Sequence, residues 1–211
     1  MWTLPSRIGD TPDWHGGRRH ALVWAVLLDE PAHQLTAAAR GRLGGVVLPR
    51  YARQPHVTVR YAGLAGEPGL PGYGLEQLRR DLAGLDALVP GAPPQVRATG
   101  WSSFPMVPYL GMQCAWLDDA HRALAAPDDD PGAPYRPHLT VGQYAVRMPV
   151  DKVLERLADC PAQGEWAVGE LALLRYETHD ISGPLAVEGT VDLATGRWAW
   201  AGAAVLRPHR G

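Results

Sequence analysis

Two stretches of one form, Pro55-His56-Val57-Thr58-Val59 and Pro137-His138-Leu139-Thr140-Val141, constrain this chain more than any other feature. Each reads Pro-His-aliphatic-Thr-Val and sits among β-formers. Side chains alternate along a strand, so His56 shares a face with Thr58, and His138 with Thr140. One such strand presents an imidazole and a hydroxyl, half of an acid–base site; a second strand facing it completes the site. A single His-x-Thr would carry no weight, because both residues are ordinary in strands and the chain holds eight histidines. The signal comes from the agreement of the flanks: proline before, aliphatic residues interleaved, and a turn-rich segment upstream.

The motifs lie 82 positions apart, and each follows a strand, a helix and a polar loop, which points to two lobes related by internal duplication. Strands are expected over 21–28, 56–61, 95–99, 109–115, 138–146, 166–176 and 185–200, the last a hairpin turning at Ala194-Thr195-Gly196. Phe104-Pro105 turns the chain between the third and fourth of them. Helical spacing is expected over 31–43, ended by Gly44-Gly45, and over 75–88, 117–126 and 150–157. Residues 1–19 read as an irregular leader, and the whole of 1–211 as one domain with interleaved lobes.

With 211 residues and 46% apolar content there is enough chain to bury a full core. The formal net charge of −2, with no long basic stretch, argues against duplex DNA as a partner. Cys114 and Cys160 lack CxxC spacing, so neither a zinc knuckle nor a disulfide framework is indicated, and reduced thiols fit a cytoplasmic location. The apolar run 21–28 after Arg18-Arg19 leads into Asp29-Glu30-Pro31 and not a small-residue cleavage site, so it reads as a buried strand. No segment has the length of a membrane span, and a monomer is expected.

The paired motifs, with Val59-Arg60-Tyr61-Ala62-Gly63 after the first and Arg136 before the second, resemble the two-histidine phosphoesterase superfamily, which includes bacterial 2′-5′ RNA ligase/cyclic phosphodiesterases. Softer likeness runs through 100–105 and 168–174; Gly142-Gln143 departs, standing where the family often has a basic residue. The resemblance implies an α+β, bilobal fold of two pseudo-symmetric lobes. Each lobe has a mainly antiparallel sheet with flanking helices, and a central groove carries both motifs. It implies phosphodiester cleavage without a metal or other cofactor, commonly of a 2′,3′-cyclic phosphate on a nucleotide or short RNA end. It also implies catalysis by His56, His138, Thr58 and Thr140.

The residue types suit that chemistry. Opening a cyclic phosphate needs a base to activate water and an acid to protonate the leaving oxygen, and an imidazole titrating near pH 6.5 serves as either. The two threonine hydroxyls are placed to donate to the non-bridging oxygens as charge grows there. The histidine roles are assigned only as a pair. If the strand is regular, Arg60 falls on the face of His56 and Thr58 and is a candidate phosphate clamp; Arg136 is placed at the rim. Tyr61, Trp101, Phe104, Tyr109 and Tyr144 are candidates for stacking on a base, of which Tyr61, Phe104 and Tyr144 are carried forward as substrate-binding residues. Trp24 and Trp166 are assigned to packing.

The remaining histidines, His15, His20, His33, His121 and His209, lack motif context and read as surface or capping residues. His179-Asp180 lacks the helical setting and companion ligands of a metal-dependent phosphohydrolase, and Asp128-Asp129-Asp130 reads as a solvated loop. There is no Gly-x-Ser-x-Gly and no phosphate-cradling loop with lysine. Two other activities remain open: a 2′-5′ ligase or linkage hydrolase, and an enzyme for cyclic oligonucleotides. A non-catalytic RNA-end binding module is the rival from another class, against which stand the paired histidines, since arginine or lysine would serve binding equally well.

Overall fold

The apolar run near the N-terminus forms strand β1 (His20–Leu27), and its alternation sorts the layers of the molecule. Leu22, Trp24 and Val26 enter the main core, whereas Val23 and Ala25 join Ala172, Leu174 and Leu185 on the opposite face. The computed structural model describes residues 1–6, 14–125 and 134–206. After β1 come α1 (Glu30–Arg42), β2 (His56–Leu64), α2 (Leu75–Asp86), β3 (Gln95–Ser103), β4 (Pro108–Gln113) and α3 (Ala115–Ala123). They are followed by β5 (His138–Thr140), α4 (Val150–Leu157), β6 (Glu165–Ala167), β7 (Glu170–Glu177), β8 (Ala186–Asp192) and β9 (Trp198–Trp200). Pro31 lies in the first turn of α1, where its missing N–H is not needed. Gly45, at φ 76°, takes the left-handed turn that leads the chain out beyond α1.

All strand pairs are antiparallel, in the order β6-β3-β4-β5-β2-β1-β7-β8-β9, so the fold is α+β. The units β1-α1-β2-α2 and β4-α3-β5-α4 repeat one plan. Strand β3, which follows α2, pairs with β4 of the other unit; after α4 the short β6 pairs with β3, and β7 pairs with β1. The two runs, β6 to β5 and β2 to β9, join where Val57 of β2 stands opposite Leu139 of β5. Both side chains are fully buried in the main core. Helices α2 and α3 cover that core through Leu78, Leu85, Leu117 and Ala120, and a second cluster gathers Ala39 and Leu43 of α1 with Val153 and Leu157 of α4.

Three expectations are corrected. Strand β5 ends at Thr140 and not at 146, because the amides beyond it bond elsewhere: Val141 to the Pro108 carbonyl, Tyr144 to Met106 and Ala145 to Val46. The run 166–176 splits into β6 and β7, since the Val168 amide turns to the Pro94 carbonyl. The described part of the leader is docked: Thr3 is fully buried, its hydroxyl donates to the Val146 carbonyl at 2.7 Å, and its amide donates to Met148 at 2.9 Å. Asp128-Asp129-Asp130 and His209 lie outside the described residues. Among the described residues no helix is long and apolar enough to cross a membrane.

Candidate active site

The join between β2 and β5 builds the site. With Val57 opposite Leu139 in antiparallel register, His56 stands beside Thr140 and Thr58 beside His138. Val57 and Leu139 point into the main core, so alternation turns all four motif side chains to the other face. His56 and His138 are then diagonal neighbours, a relation that separates such pairs by roughly 7–8 Å. The pairing has a local twofold character about Val57 and Leu139, and each histidine has the other motif's threonine at its side.

The same symmetry fixes the imidazoles. His56 Nδ1 lies 2.7 Å from the Gln54 carbonyl, and His138 Nδ1 lies 2.7 Å from the Arg136 carbonyl. A carbonyl only accepts, so each Nδ1 carries hydrogen, and each neutral ring keeps its Nε2 lone pair as the reactive nitrogen. The environments differ in depth. His56 is 6% exposed, and burial pushes its pKa down to about 4, with the charges of Arg53 and His138 acting the same way and the Gln54 hydrogen bond opposing. Burial also lowers the pKa of the shallower His138, against the hydrogen bond to Arg136. The His138 ring meets Phe104 edge-on at 5.0 Å and lies 5.2 Å from Tyr109.

A cavity of about 530 Å³ opens on the His138 side. Thr58, Arg60, Tyr61, Phe104, Arg136 and His138 line it, while His56 and Thr140 lie outside its lining. Arg60 does not follow the alternation expected of a regular strand. Thr58 is opposite Ala25 but Arg60 is opposite Trp24, which makes Val59 the extra residue of a bulge. Past the bulge Arg60 comes under the charge of Asp81, which also accepts from Trp24 Nε1 at 2.7 Å and the Tyr73 hydroxyl at 2.6 Å. Tyr144 is corrected outright. It is 0% exposed, belongs to the second cluster, and shares a hydrogen bond of 2.6 Å with Ser103 Oγ, so it has no face to offer a base. Trp101 is likewise engaged elsewhere, donating to the Cys160 carbonyl at 3.1 Å. Trp24 and Trp166 are core residues, as their assignment to packing requires.

Sequence reasoning missed three groups. His121, read as a surface or capping residue, lines the cavity, donates from Nδ1 to the Val59 carbonyl at 2.7 Å and stacks on Tyr135 at 4.1 Å. Tyr135 in turn donates to the Thr58 carbonyl at 2.9 Å. Both depend on pairing between distant segments, and a local pattern carries no trace of it. Arg53 is the third, and its proximity to His56 was legible only as the spacing Arg-x-x-His. Of the other histidines, His15 is buried against Trp14, and His20 pairs with Glu177 at 3.0 Å. His179-Asp180 lies in a turn, with Asp180 paired to Arg50 at 2.7 Å. Among the described residues no three His, Cys, Asp or Glu side chains are grouped to hold a metal ion.

The fold is shared with a solved structure. TT0787 of Thermus thermophilus superposes with a TM-score of 0.55 at 19% identity, covering 82% of this chain and 98% of that one. LigT of E. coli in apo form gives a TM-score of 0.49 at 15% identity, over 88% of this chain and 95% of that one. No curated protein sequence matches the chain. The family model of the 2′-5′ RNA ligase superfamily matches residues 27–180, a span that takes in both motifs and the seam between them, and the chain belongs to that superfamily.

Proposed function

We propose that this protein is a phosphodiesterase that opens 2′,3′-cyclic phosphates of nucleotides or RNA ends, with His56 and His138 as a metal-independent acid–base pair. Membership of the superfamily supports phosphoesterase- or ligase-type activity. The observation that carries the finer reading is the matched hold on the two rings, each Nδ1 donating to the carbonyl two residues upstream. In the reaction one Nε2 takes a proton from water as the oxygen attacks phosphorus, and the other, protonated, gives its proton to the ribose oxygen as the P–O bond breaks. The product is a ribose monophosphate. Thr58 and Thr140 donate to the non-bridging oxygens, where negative charge accumulates. Which histidine is acid follows from which ribose oxygen leaves.

Hydrolysis of a 2′,3′-cyclic nucleotide in excess chelator tests this. His56→Ala and His138→Ala are each expected to lower kcat by roughly 100-fold or more. Full activity in both variants would overturn the assignment, and loss of wild-type activity on chelation would move a metal-dependent mechanism ahead. A linear 2′-5′ dinucleotide assayed alongside ranks the second reading, cleavage or formation of 2′-5′ linkages, which the superfamily's own description favours.

A further inference from the structure

Arg53 is a cation close to His56 that neither motif accounts for. It directly precedes Gln54, whose carbonyl holds the His56 ring, and its charge acts on that ring. Its guanidinium carbon lies 4.3 Å from the centroid of Tyr176. Tyr176 follows Ala172 and Leu174 in the alternation of β7, which places it on the face of the sheet that carries His56 and Thr58. The loop carrying Arg53 is pinned on both sides. The Ala52 amide donates to the Ser182 carbonyl at 2.7 Å, and Gln54 exchanges two hydrogen bonds of 2.9 Å with the Leu185 backbone.

This guanidinium is held but incompletely satisfied. Its Nε is buried without a hydrogen-bond partner. Among the described residues no carboxylate forms an ion pair with it, whereas Arg50, Arg97 and Arg175 each have one. A partly desolvated cation without an anion is unfavourable by itself. Such a cation, fixed beside a catalytic imidazole, is arranged to receive an anionic ligand. The other two candidate cations are less well placed to do so. Arg60 lies beyond the Val59 bulge under the charge of Asp81, and Arg136 is exposed at the rim.

We propose that Arg53 is a phosphate-binding residue of this site, its guanidinium donating to a non-bridging oxygen of the phosphoryl group held between His56 and His138. The inference rests on the phosphodiesterase reading for its place in catalysis, but phosphate binding is measurable without turnover. Lysine cannot replace it, because the planar fork is oriented by its stack on Tyr176 and an ammonium has no such orientation. Bound anion also cancels the repulsion that Arg53 exerts on a protonated His56, so the two events are coupled.

The test uses the full chain with Arg53→Ala, Arg53→Lys and Tyr176→Leu, first checked for unchanged thermal midpoints. Inorganic phosphate is titrated by calorimetry, and the His56 ring is followed by NMR across pH. Arg53→Ala is expected to weaken phosphate at least about tenfold and to lower kcat/KM by roughly 100-fold, with Lys recovering little of either. The His56 pKa is expected to rise in Arg53→Ala and to stay near the wild-type value in Arg53→Lys, which keeps the charge, so the difference between the two variants reports charge and not burial. Phosphate affinity within twofold of wild type in Arg53→Ala, or no phosphate binding by wild type, would overturn the proposal. Wild-type phosphate binding that depends on Arg53, without turnover of any cyclic phosphate, would sink the activity reading and leave Arg53 standing. Undiminished turnover in Arg53→Ala would do the reverse.

Discussion

At the scale of single residues, the pH behaviour of the histidine pair follows from its burial. Both imidazoles have lowered pKa values in the free protein, His56 to about 4. The proposed reaction needs one ring neutral and the other protonated, so the bell for kcat/KM is centred between two values that both lie below 6.5. An optimum on the acid side of 6.5 is expected, and a kcat/KM profile centred above neutrality would contradict it. Stability carries the same signature. The unfolded chain binds a proton at position 56 near pH 6.5 and the folded one only near 4, so the unfolded state holds more protons between those values. Stability is therefore full above 6.5 and is lost as pH falls toward 4, by about 3 kcal/mol at most from this group. Urea midpoints of wild type and His56→Gln at pH 7 and 4.5 check it, since the variant should lose less on acidification. The motif histidines were readable because they recur with their flanks, whereas Tyr144 was not separable from a groove aromatic. Both kinds of tyrosine follow a strand, and only the Ser103 contact and the cluster around Tyr144 show that it faces inward.

At the scale of elements, β2 is more than a carrier of one motif. Past Thr58 it has no strand neighbour on its β5 side among the described residues, because β5 begins at His138. Its exposed edge is completed by side chains: Tyr135 donates to the Thr58 carbonyl and His121 to the Val59 carbonyl, and the two rings stack within 4° of parallel. That arrangement holds the strand at the bulge, between Thr58 and Arg60. Tyr135→Phe keeps the stack and removes one donor. It is expected to cost about 1 kcal/mol of stability and to lower kcat about tenfold, through displacement of the Thr58 hydroxyl. Steady-state kinetics beside chemical denaturation measure both, and an unchanged kcat would show that Thr58 is positioned by the sheet alone. The bulge could not be read from the chain, because His56-Val57-Thr58-Val59-Arg60 alternates without a break and the extra residue exists only relative to β1. Helix α4 was legible to the residue, since Pro149, Asp151 and the spacing of Val150, Val153 and Leu157 are all local signals.

At the scale of the molecule, the two halves share one structural decision, the register of β2 against β5. The repeated strand-helix-strand plan was visible in the spacing of the two motifs. The narrowness of the join was not, because a three-residue β5 is set by where the amides of Val141, Tyr144 and Ala145 find partners. In the proposed mechanism, a seam with a single residue pair makes the spacing of the two imidazoles depend on two core side chains, Val57 and Leu139. Leu139 and Leu173 offer a controlled comparison: both are fully buried in the main core, but Leu139 lies at the seam and Leu173 stands opposite Trp24 in β7. Replacing either with alanine is expected to cost about 2–5 kcal/mol. Their effects on turnover should separate, because a shift of about 1 Å between the strands carrying His56 and His138 can cost roughly 100-fold in rate, whereas a cavity beneath β7 leaves that spacing alone. Measured well below both melting temperatures, kcat should fall far more in Leu139→Ala than in Leu173→Ala. Equal kcat losses at equal stability cost would mean that the seam has no special part in aligning the two imidazoles, and that the rest of the sheet holds the halves in register without it.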